Sequence, residues 1–215
     1  LRAIDFGAAE RMVRINPTPA GLQDLPAVVR HGVNLILIPK AEKPSDVTEV
    51  ANAIDQITAR HRITDPIWLM PILESAKGVL HAQAIGAAHE RVSSLAFGAE
   101  EFTRDIQAER TVDGRESFVA RSLVVLGARA AGVQPIDTVF SDVENYEGLR
   151  ASVLEAISLG FEGKGCIHPR QIEVVHEAFR PKNEDLVHAL NVKAAMEAAD
   201  RSGSGVISLG TTMVA

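Results

Sequence analysis

Acidic side chains follow two apolar segments of the chain, and carboxylates in such positions can bind metal ions. Glu74 comes directly after the apolar run 67–73, and Glu100 and Glu101 follow the run 94–97. If the two runs are neighbouring parallel strands, these carboxylates converge at one end of the sheet. Mg²⁺ accepts one or two carboxylates and leaves its other positions to water and substrate. The alternative is that the acids are solvated loop residues, and their spacing alone leaves both interpretations open.

Two basic residues occupy comparable positions. Arg14 lies between Val13 and Ile15 in an apolar segment, which predicts a buried guanidinium, and an unpaired buried charge is unfavourable. We expect Arg14 either to pair with a carboxylate of the protein or to bind the carboxylate of a substrate. Lys40 follows a second apolar segment. It is a candidate for a Schiff base with a carbonyl substrate, and an ion pair with a nearby acid is the alternative.

Other common motifs are absent from the sequence. The segment Gly163-Lys164-Gly165 lacks the third glycine of a dinucleotide fingerprint and the spacing of a phosphate-binding loop. The seven histidines show no paired metal-ligand spacing. Cys166 is the single cysteine, so no internal disulfide can form, and its place in an apolar run predicts a small buried side chain.

The elements that position these residues are alternating strands and helices. Short runs rich in Val, Ile and Phe predict strands, and apolar residues at helical spacing between them predict helices. The predicted strands are 11–16, 33–39, 67–73, 94–97, 136–140 and 163–167. The predicted helices are 22–32, 45–63, 75–89, 116–131, 145–159, one that begins at 169, and 183–201.

Continuously apolar strands that alternate with helices indicate a covered parallel sheet, either a barrel or an open doubly wound sheet. A barrel builds its active site from the carboxyl ends of many strands, whereas an open sheet uses mainly its switch point. The polar residues favour the barrel, since nearly every predicted strand ends in one: Arg14, Asn16, Lys40, Glu74, Glu100, Glu101, Asp142 and His168. We therefore predict an α/β fold of the TIM-type (β/α)8 class that is two strands short. Residues 1–215 are expected to form a single partial barrel domain, with a C-terminal helix and tail at about 182–215.

Composition excludes several functional classes. The chain has 215 residues, of which 46% are hydrophobic and 23% charged, as expected of one soluble domain. Its net charge of -6 argues against nucleic-acid binding. It contains no apolar run near the roughly 20 residues of a membrane helix, and charges interrupt the first twenty positions. We therefore expect a cytoplasmic protein, and the initial Leu1 leaves open that the chain is a fragment.

Several segments together resemble the citrate lyase beta-like and malyl-CoA lyase aldolase family. They occur in the order that is typical of that family and extend across almost the whole chain. The matching segments are 13–17, 38–40, 72–78, 98–102, 136–142, 160–164 and 167–171, followed by the tail segment 203–209.

The resemblance implies a TIM-type barrel that uses Mg²⁺ to cleave a carbon–carbon bond in a 3-hydroxyacyl thioester. A citryl thioester on coenzyme A or an acyl carrier protein would give oxaloacetate and an acetyl thioester; malyl-CoA or methylmalyl-CoA cleavage, or thioester hydrolysis, is the alternative. Glu74 and Glu101 are implied as metal ligands, although the family usually has Asp at the second position. Arg14 is implied to contact the oxo-acid carboxylate. Asn16, Lys40 and His168 are further candidates for substrate contacts or for support of the site.

The resemblance also implies partners and one departure. Members of the family tend to form homo-oligomers, often trimers, and citrate lyase works with further subunits. The first two strands of the family barrel have no counterpart before Arg11. The chain is therefore expected to be a fragment, a truncated gene product or a catalytically inactive paralogue.

Overall fold

The computed structural model describes residues 4–202, 207–209 and 212–214. The chain divides into two compact units, Leu1–Val175 and His176–Ala215. The predicted single domain over 1–215, with its C-terminal helix and tail, includes positions outside the described residues and stays a prediction. Among the described residues, no helix combines the length and the apolar character that crossing a membrane requires.

Parallel strands and helices alternate along most of the chain, which confirms the predicted α/β class. A short 3-10 helix, Ala20–Gln23, follows the first strand. The strands of the main sheet are β1 (Met12–Arg14), β2 (Leu35–Ile38), β3 (Trp68–Leu73), β4 (Ser94–Phe97), β5 (Gln134–Asp137) and β6 (Gly163–Lys164). The helices are α1 (Leu25–Val29), α2 (Pro44–His61), α3 (Ala76–Leu80), α4 (Ala82–Gly86), α5 (Ala99–Asp105), α6 (Phe118–Ala131), α7 (Tyr146–Leu159), α8 (Arg170–Phe179) and α9 (Asn183–Ser202). Two further strands, β7 (Ile207–Leu209) and β8 (Thr212–Val214), pair antiparallel with each other.

The main sheet has six strands in sequential order, all parallel, and it is curled into a half-barrel. Sequential order is the arrangement of a barrel, because a doubly wound sheet reverses its strand order at a switch point. Each strand pairs with the next along the chain, so β1 and β6 are the two edges among the described residues. The carboxyl ends of all six strands consequently lie at one rim of the sheet.

Side chains alternate between the two faces of this sheet. Leu69 and Leu73 of β3 are fully buried in the hydrophobic core, together with Leu95 of β4 and with Val50 and Ile54 of α2. This outer face is covered by helices. The core-facing positions alternate with the two-residue period of a β-strand, and the residues between them are also largely buried, as the continuously apolar runs predicted.

Residues at the intervening positions face the inner side of the curled sheet. On β3 these are Met70 and Ile72, and the next position with the same parity is Glu74. Ile72 pairs with Ala96 of β4, so Glu74 is adjacent to Gly98. The pairing of Arg14 with Leu37, and of Leu37 with Met70, puts Arg14 on the same face.

Some predicted elements differ from the structure. The predicted helix 75–89 is two short helices, α3 and α4, because His81 between them leaves the helical backbone region. Strand β5 begins two residues before the predicted segment 136–140 and ends at Asp137. Helix α5 was not predicted, because seven residues are too few to show a helical period.

Strand β6 has only two residues, Gly163 and Lys164, rather than the predicted 163–167. Cys166 lies beyond its end and is exposed, so the prediction of a small buried side chain is wrong. The physical reason is that the pairing between β5 and β6 ends at Asp137 and Lys164, so Cys166 is not part of the sheet.

Candidate active site

Glu74 lies at the rim of the sheet, one residue beyond the end of β3, and is only 8% exposed. Its Oε1 accepts a hydrogen bond of 2.7 Å from the backbone N–H of Lys40, which follows β2. Burial raises the pKa of the Glu74 carboxyl, against the hydrogen bond from Lys40, which lowers it. The charge of Glu101 raises that pKa further, and the charges of Lys40 and Arg14 lower it. Glu74 is therefore a buried acid within electrostatic range of three candidate site residues.

Glu101 lies in the first turn of α5, the helix that begins directly after β4 and Gly98. Acidic residues in a first helical turn are stabilised by the partial positive charge of the helix N-terminus. The side chain of the neighbouring Glu100 has other partners. Its Oε1 forms an ion pair with Arg110 Nε at 2.9 Å and accepts a hydrogen bond from Ser141 Oγ at 3.0 Å. Of the two acids that follow β4, Glu101 is the one whose charge acts on Glu74.

Arg14 is exposed, so the prediction of a buried guanidinium is wrong. The reason is the position of β1 at the sheet edge, where the apolar neighbours Val13 and Ile15 do not enclose the side chain. Among the described residues, Arg14 forms no hydrogen bond or ion pair with a protein carboxylate, which was one of its two expected roles, although its charge acts on Glu74. The guanidinium is thus available at the rim for an anionic ligand.

Asn16 and Lys40 follow β1 and β2 and have different surroundings. The Asn16 side-chain amide donates to Asp24 Oδ2 at 2.9 Å, and the same oxygen accepts the Asn16 backbone N–H at 2.9 Å. Lys40 has an exposed side chain and a left-handed backbone with φ of 54°. Asn16 therefore stabilises the turn after β1, whereas the Lys40 ammonium is accessible near Glu74.

Two further sequence candidates lie at the carboxyl ends of later strands. His168 is exposed beyond β6, and its Nδ1 accepts the backbone N–H of Arg170 at 3.2 Å. Asp142 is exposed after β5 and accepts the backbone N–H of Glu144 at 3.2 Å. Neither side chain contributes to the electrostatics of Glu74, so the group around Glu74 comes from the ends of β1 to β4.

The pair Glu74 and Glu101 fits a divalent cation on chemical grounds. Two carboxylates that repel each other are both stabilised by a shared cation, and the raised pKa of Glu74 records that repulsion together with burial. No cluster of three potential His, Cys, Asp or Glu ligands occurs in the described part of the chain. A two-carboxylate site with its other positions open to water and substrate suits Mg²⁺ better than a closed structural zinc site.

A buried ionic cluster on the opposite face of the sheet was not predicted from the sequence. Asp137 ends β5 and accepts hydrogen bonds of 3.0 Å from Arg121 Nε and Nη2 and of 2.8 Å from Lys164 Nζ. Arg121 Nη1 also donates to Glu155 Oε2 at 2.7 Å. Burial lowers the pKa of Lys164, against the neighbouring charge of Asp137, which raises it. A strand that ends in an aspartate at a core-facing position was the available signal, and the misplaced boundary of β5 concealed it.

A cavity of about 690 Å³ lies beside this cluster. Its walls come from α6, α7 and the segments that follow α5 and β5, with Arg121 and Lys164 at its buried side. Glu74 and Glu101 are not among its lining residues in the described structure. The candidate acid pair therefore lies outside this cavity, on the inner side of the curled sheet.

Comparison with known proteins agrees with this architecture. The model of the HpcH/HpaI aldolase/citrate lyase family matches residues 1–169. The citrate lyase subunit beta of Leuconostoc mesenteroides subsp. cremoris is 37% identical over 217 residues, covering 100% of this chain and 72% of that protein. A (3S)-malyl-CoA thioesterase of Cereibacter sphaeroides is 33% identical over 208 residues, covering 96% of this chain and 69% of that protein.

A solved structure of a similar protein has a similar fold. The citrate lyase beta subunit of M. tuberculosis, complexed with oxaloacetate and magnesium, has a TM-score of 0.67 and 32% sequence identity. The match covers 79% of this chain and 73% of that one. These matches confirm the resemblance that the segments from 13–17 to 167–171 indicated. The chain belongs to the HpcH/HpaI aldolase/citrate lyase family, and the class of enzyme that it represents is the carbon–carbon lyases.

Proposed function

We propose that this protein is a Mg²⁺-dependent lyase that cleaves the carbon–carbon bond of a 3-hydroxyacyl thioester. The observation that carries the proposal is the position of Glu74 and Glu101 after neighbouring strands, with the charge of Glu101 acting on Glu74. The similar protein complexed with oxaloacetate and magnesium supports the choice of both ion and product class. The substrate would be citryl-CoA or a citryl acyl carrier protein, which yields oxaloacetate and an acetyl thioester.

In this proposal Glu74 and Glu101 hold the ion, and water and substrate complete its coordination. The chemistry that Mg²⁺ supplies when bound is chelation of the substrate hydroxyl and carboxylate, which lowers the pKa of the hydroxyl. The hydroxyl loses its proton as the neighbouring carbon–carbon bond breaks. The electron pair of that bond becomes an enolate on the acetyl thioester, which then accepts a proton.

Arg14 would bind the carboxylate of the oxo-acid half. Its guanidinium is exposed at the rim and offers two parallel donors to a carboxylate. Lys40 would contact the substrate through its accessible ammonium. Asn16 would contact the substrate at the same rim. The developing enolate needs preorganised positive charge or hydrogen-bond donors, and Lys40 and His168 are the candidates.

A second candidate function is cleavage or thioester hydrolysis of malyl-CoA or methylmalyl-CoA. The similarity to a (3S)-malyl-CoA thioesterase supports it. The two functions share the thioester and the ion, and they differ in the acid half of the substrate. We further propose that the six strands correspond to six of the eight β/α units of a TIM-type barrel. The active form would be a homo-oligomer, for which a trimer is one arrangement, with other citrate lyase subunits as possible partners.

The test is an assay of purified protein with citryl-CoA and with malyl-CoA, each in the presence of Mg²⁺ or EDTA. Oxaloacetate released from citryl-CoA only with Mg²⁺ would support the lyase, and preference for malyl-CoA would support the second candidate. Inactivity towards both substrates with no Mg²⁺ binding would contradict both and indicate a catalytically inactive paralogue. Borohydride trapping of substrate on Lys40 would overturn the metal mechanism in favour of an imine.

A further inference from the structure

The two oxygens of the Glu74 carboxylate have different fixed neighbours. Oε1 accepts the backbone N–H of Lys40 at 2.7 Å. Oε2 lies against Gly98, where a Cβ atom would come within 2.9 Å of both Oε2 and the Cβ of Glu74. Such a distance is below any normal contact for a methyl group, and the third neighbour, Ile72 Cγ2, would be 3.2 Å away. The space for this carboxylate therefore exists only because residue 98 has no side chain.

The Lys40 amide reaches Glu74 because of the backbone around it. Lys40 has a left-handed φ of 54°, and the next residue, Ala41, donates its N–H to the Ile72 carbonyl at 3.2 Å. The Ala41 carbonyl lies close to Gly78 of α3, where a Cβ would come within 2.5 Å of that oxygen. The turn after β2 is consequently held against β3 and α3, with the Lys40 N–H aimed at Oε1.

Gly98 also connects the two acids. It precedes α5 as the N-cap residue, and its N–H donates to the Leu73 carbonyl at 3.0 Å. The same residue thus ties the start of the helix that carries Glu101 to the strand that precedes Glu74. A shift of Gly98 would move both carboxylates relative to each other.

We propose that Gly98 and the backbone of Lys40 are positioning residues that fix the Glu74 carboxylate for a divalent cation shared with Glu101. The inference depends on the proposed metal-dependent function and extends it to two groups that do not themselves bind the ion. The role of Lys40 in this proposal is to position Glu74, and it is performed by the peptide N–H that contacts Oε1 rather than by the ammonium.

The first test compares Gly98→Ala with a matched control, Gly163→Ala. At Gly163 an added Cβ would meet mainly the flexible end of Ile136, at 2.9 Å from Cδ1. Gly163 lies on β6, three strands away from β3 in the sheet. Mn²⁺ binding to the full chain is measured by electron paramagnetic resonance and calorimetry, with circular dichroism to verify folding. We expect Gly98→Ala to weaken Mn²⁺ affinity at least tenfold and Gly163→Ala to change it less than twofold.

The results with folded variants separate the positioning role from the proposed function. Wild-type affinity in folded Gly98→Ala would overturn the positioning role and leave the proposed function intact. Failure of the wild-type protein to bind Mn²⁺ would overturn both. A crystal structure of metal-free Gly98→Ala provides a readout independent of the ion, since we expect the Glu74 carboxylate to be displaced and its bond to Lys40 N–H to be lost.

The second test distinguishes the contribution of the Lys40 backbone N–H to metal binding from that of the Lys40 ammonium. It tests the positioning role even if Gly98→Ala does not fold. Lys40→Gly keeps the N–H and tolerates the left-handed backbone, whereas a β-branched valine disfavours a positive φ. We expect Mn²⁺ affinity to stay within twofold in Lys40→Gly and to fall at least fivefold in Lys40→Val. Equal losses in both variants would assign the effect to the ammonium and overturn the proposed role of the backbone.

Discussion

Glu74 follows β3, Glu101 lies in the first turn of the helix after β4, and the negative charge of Glu101 raises the pKa of Glu74. The two residues are 27 positions apart in the sequence and interact electrostatically because their strands are neighbours in a parallel sheet. Two like charges at the rim of a sheet are unfavourable without a cation or a proton. The parallel sheet therefore produces a pair of carboxylates that a divalent cation would stabilise.

The first prediction distinguishes the two adjacent glutamates. Glu101→Gln should weaken Mg²⁺ affinity by at least tenfold, because it removes one of two negative ligands. Glu100→Gln is the matched control and should change the affinity less than threefold, since Glu100 binds Arg110 and Ser141 instead. Calorimetric titration with Mg²⁺ measures both. A larger loss in the Glu100 variant would reverse the assignment.

The second prediction concerns stability against pH. The pKa of Glu74 is raised from its ordinary value of 4.5, so between 4.5 and the raised value the folded state binds more protons than the unfolded state. The free energy of unfolding contributed by this group therefore falls as pH rises through that range. Glu74→Gln lacks the titration and should be at least as stable as the wild type at pH 7 without divalent ions.

Urea unfolding of both proteins at about pH 4.5 and pH 7 measures this difference. The advantage of Glu74→Gln should be smaller at the lower pH, because the raised pKa of Glu74 means that more of the wild-type carboxyl is protonated there than at pH 7. An advantage that grows towards acid pH would show that burial does not raise the pKa of Glu74. The same variant should lose metal-dependent turnover with its fold intact, and full activity would refute its role as a ligand.

The third prediction concerns Arg14. Arg14→Gln should lower kcat/KM about 10- to 100-fold, because hydrogen bonds to a charged group contribute roughly 1.5 to 3 kcal/mol. Its free energy of unfolding should change by less than about 0.5 kcal/mol, since the side chain is exposed. Arg60→Gln, at an exposed position on α2, should affect neither quantity. An unchanged kcat/KM in Arg14→Gln would remove Arg14 from the substrate site.

The fourth prediction concerns the buried ionic cluster. Asp137→Asn should destabilise the protein by roughly 3 to 5 kcal/mol, because it removes the charged partner of the buried Lys164 and leaves the buried Arg121 with only the partly exposed Glu155. Glu155→Gln should cost less than roughly 1 kcal/mol, since Glu155 binds the same arginine from a side chain that is 41% exposed. Urea unfolding compares the two variants. Similar losses would mean that burial does not set the strength of these contacts.

Sequence patterns were sufficient for the alternation of strands and helices and for the parallel α/β class. The run at 94–97 became β4 without a change of boundary, and helices α6 and α7 end where their patterns ended, because Gly132 and Gly160 adopt left-handed backbones there. The boundary of β5 was misplaced, since the apolar residues after Asp137 resemble a continuation of the strand. Side-chain periodicity is a local property, and local properties can be recognised without the tertiary structure.

The amino-acid sequence by itself determined that an acid follows β3, that two acids follow β4, and that the chain belongs with the citrate lyase-like aldolases. Only the tertiary structure decided that Glu101 rather than Glu100 acts on Glu74, that Arg14 is exposed, and that Arg121, Asp137 and Lys164 form a buried cluster. These facts depend on strand register and on which segments lie at an edge or under a helix. Register and burial arise from contacts between residues that are distant in the chain, so no spacing along the sequence contains them.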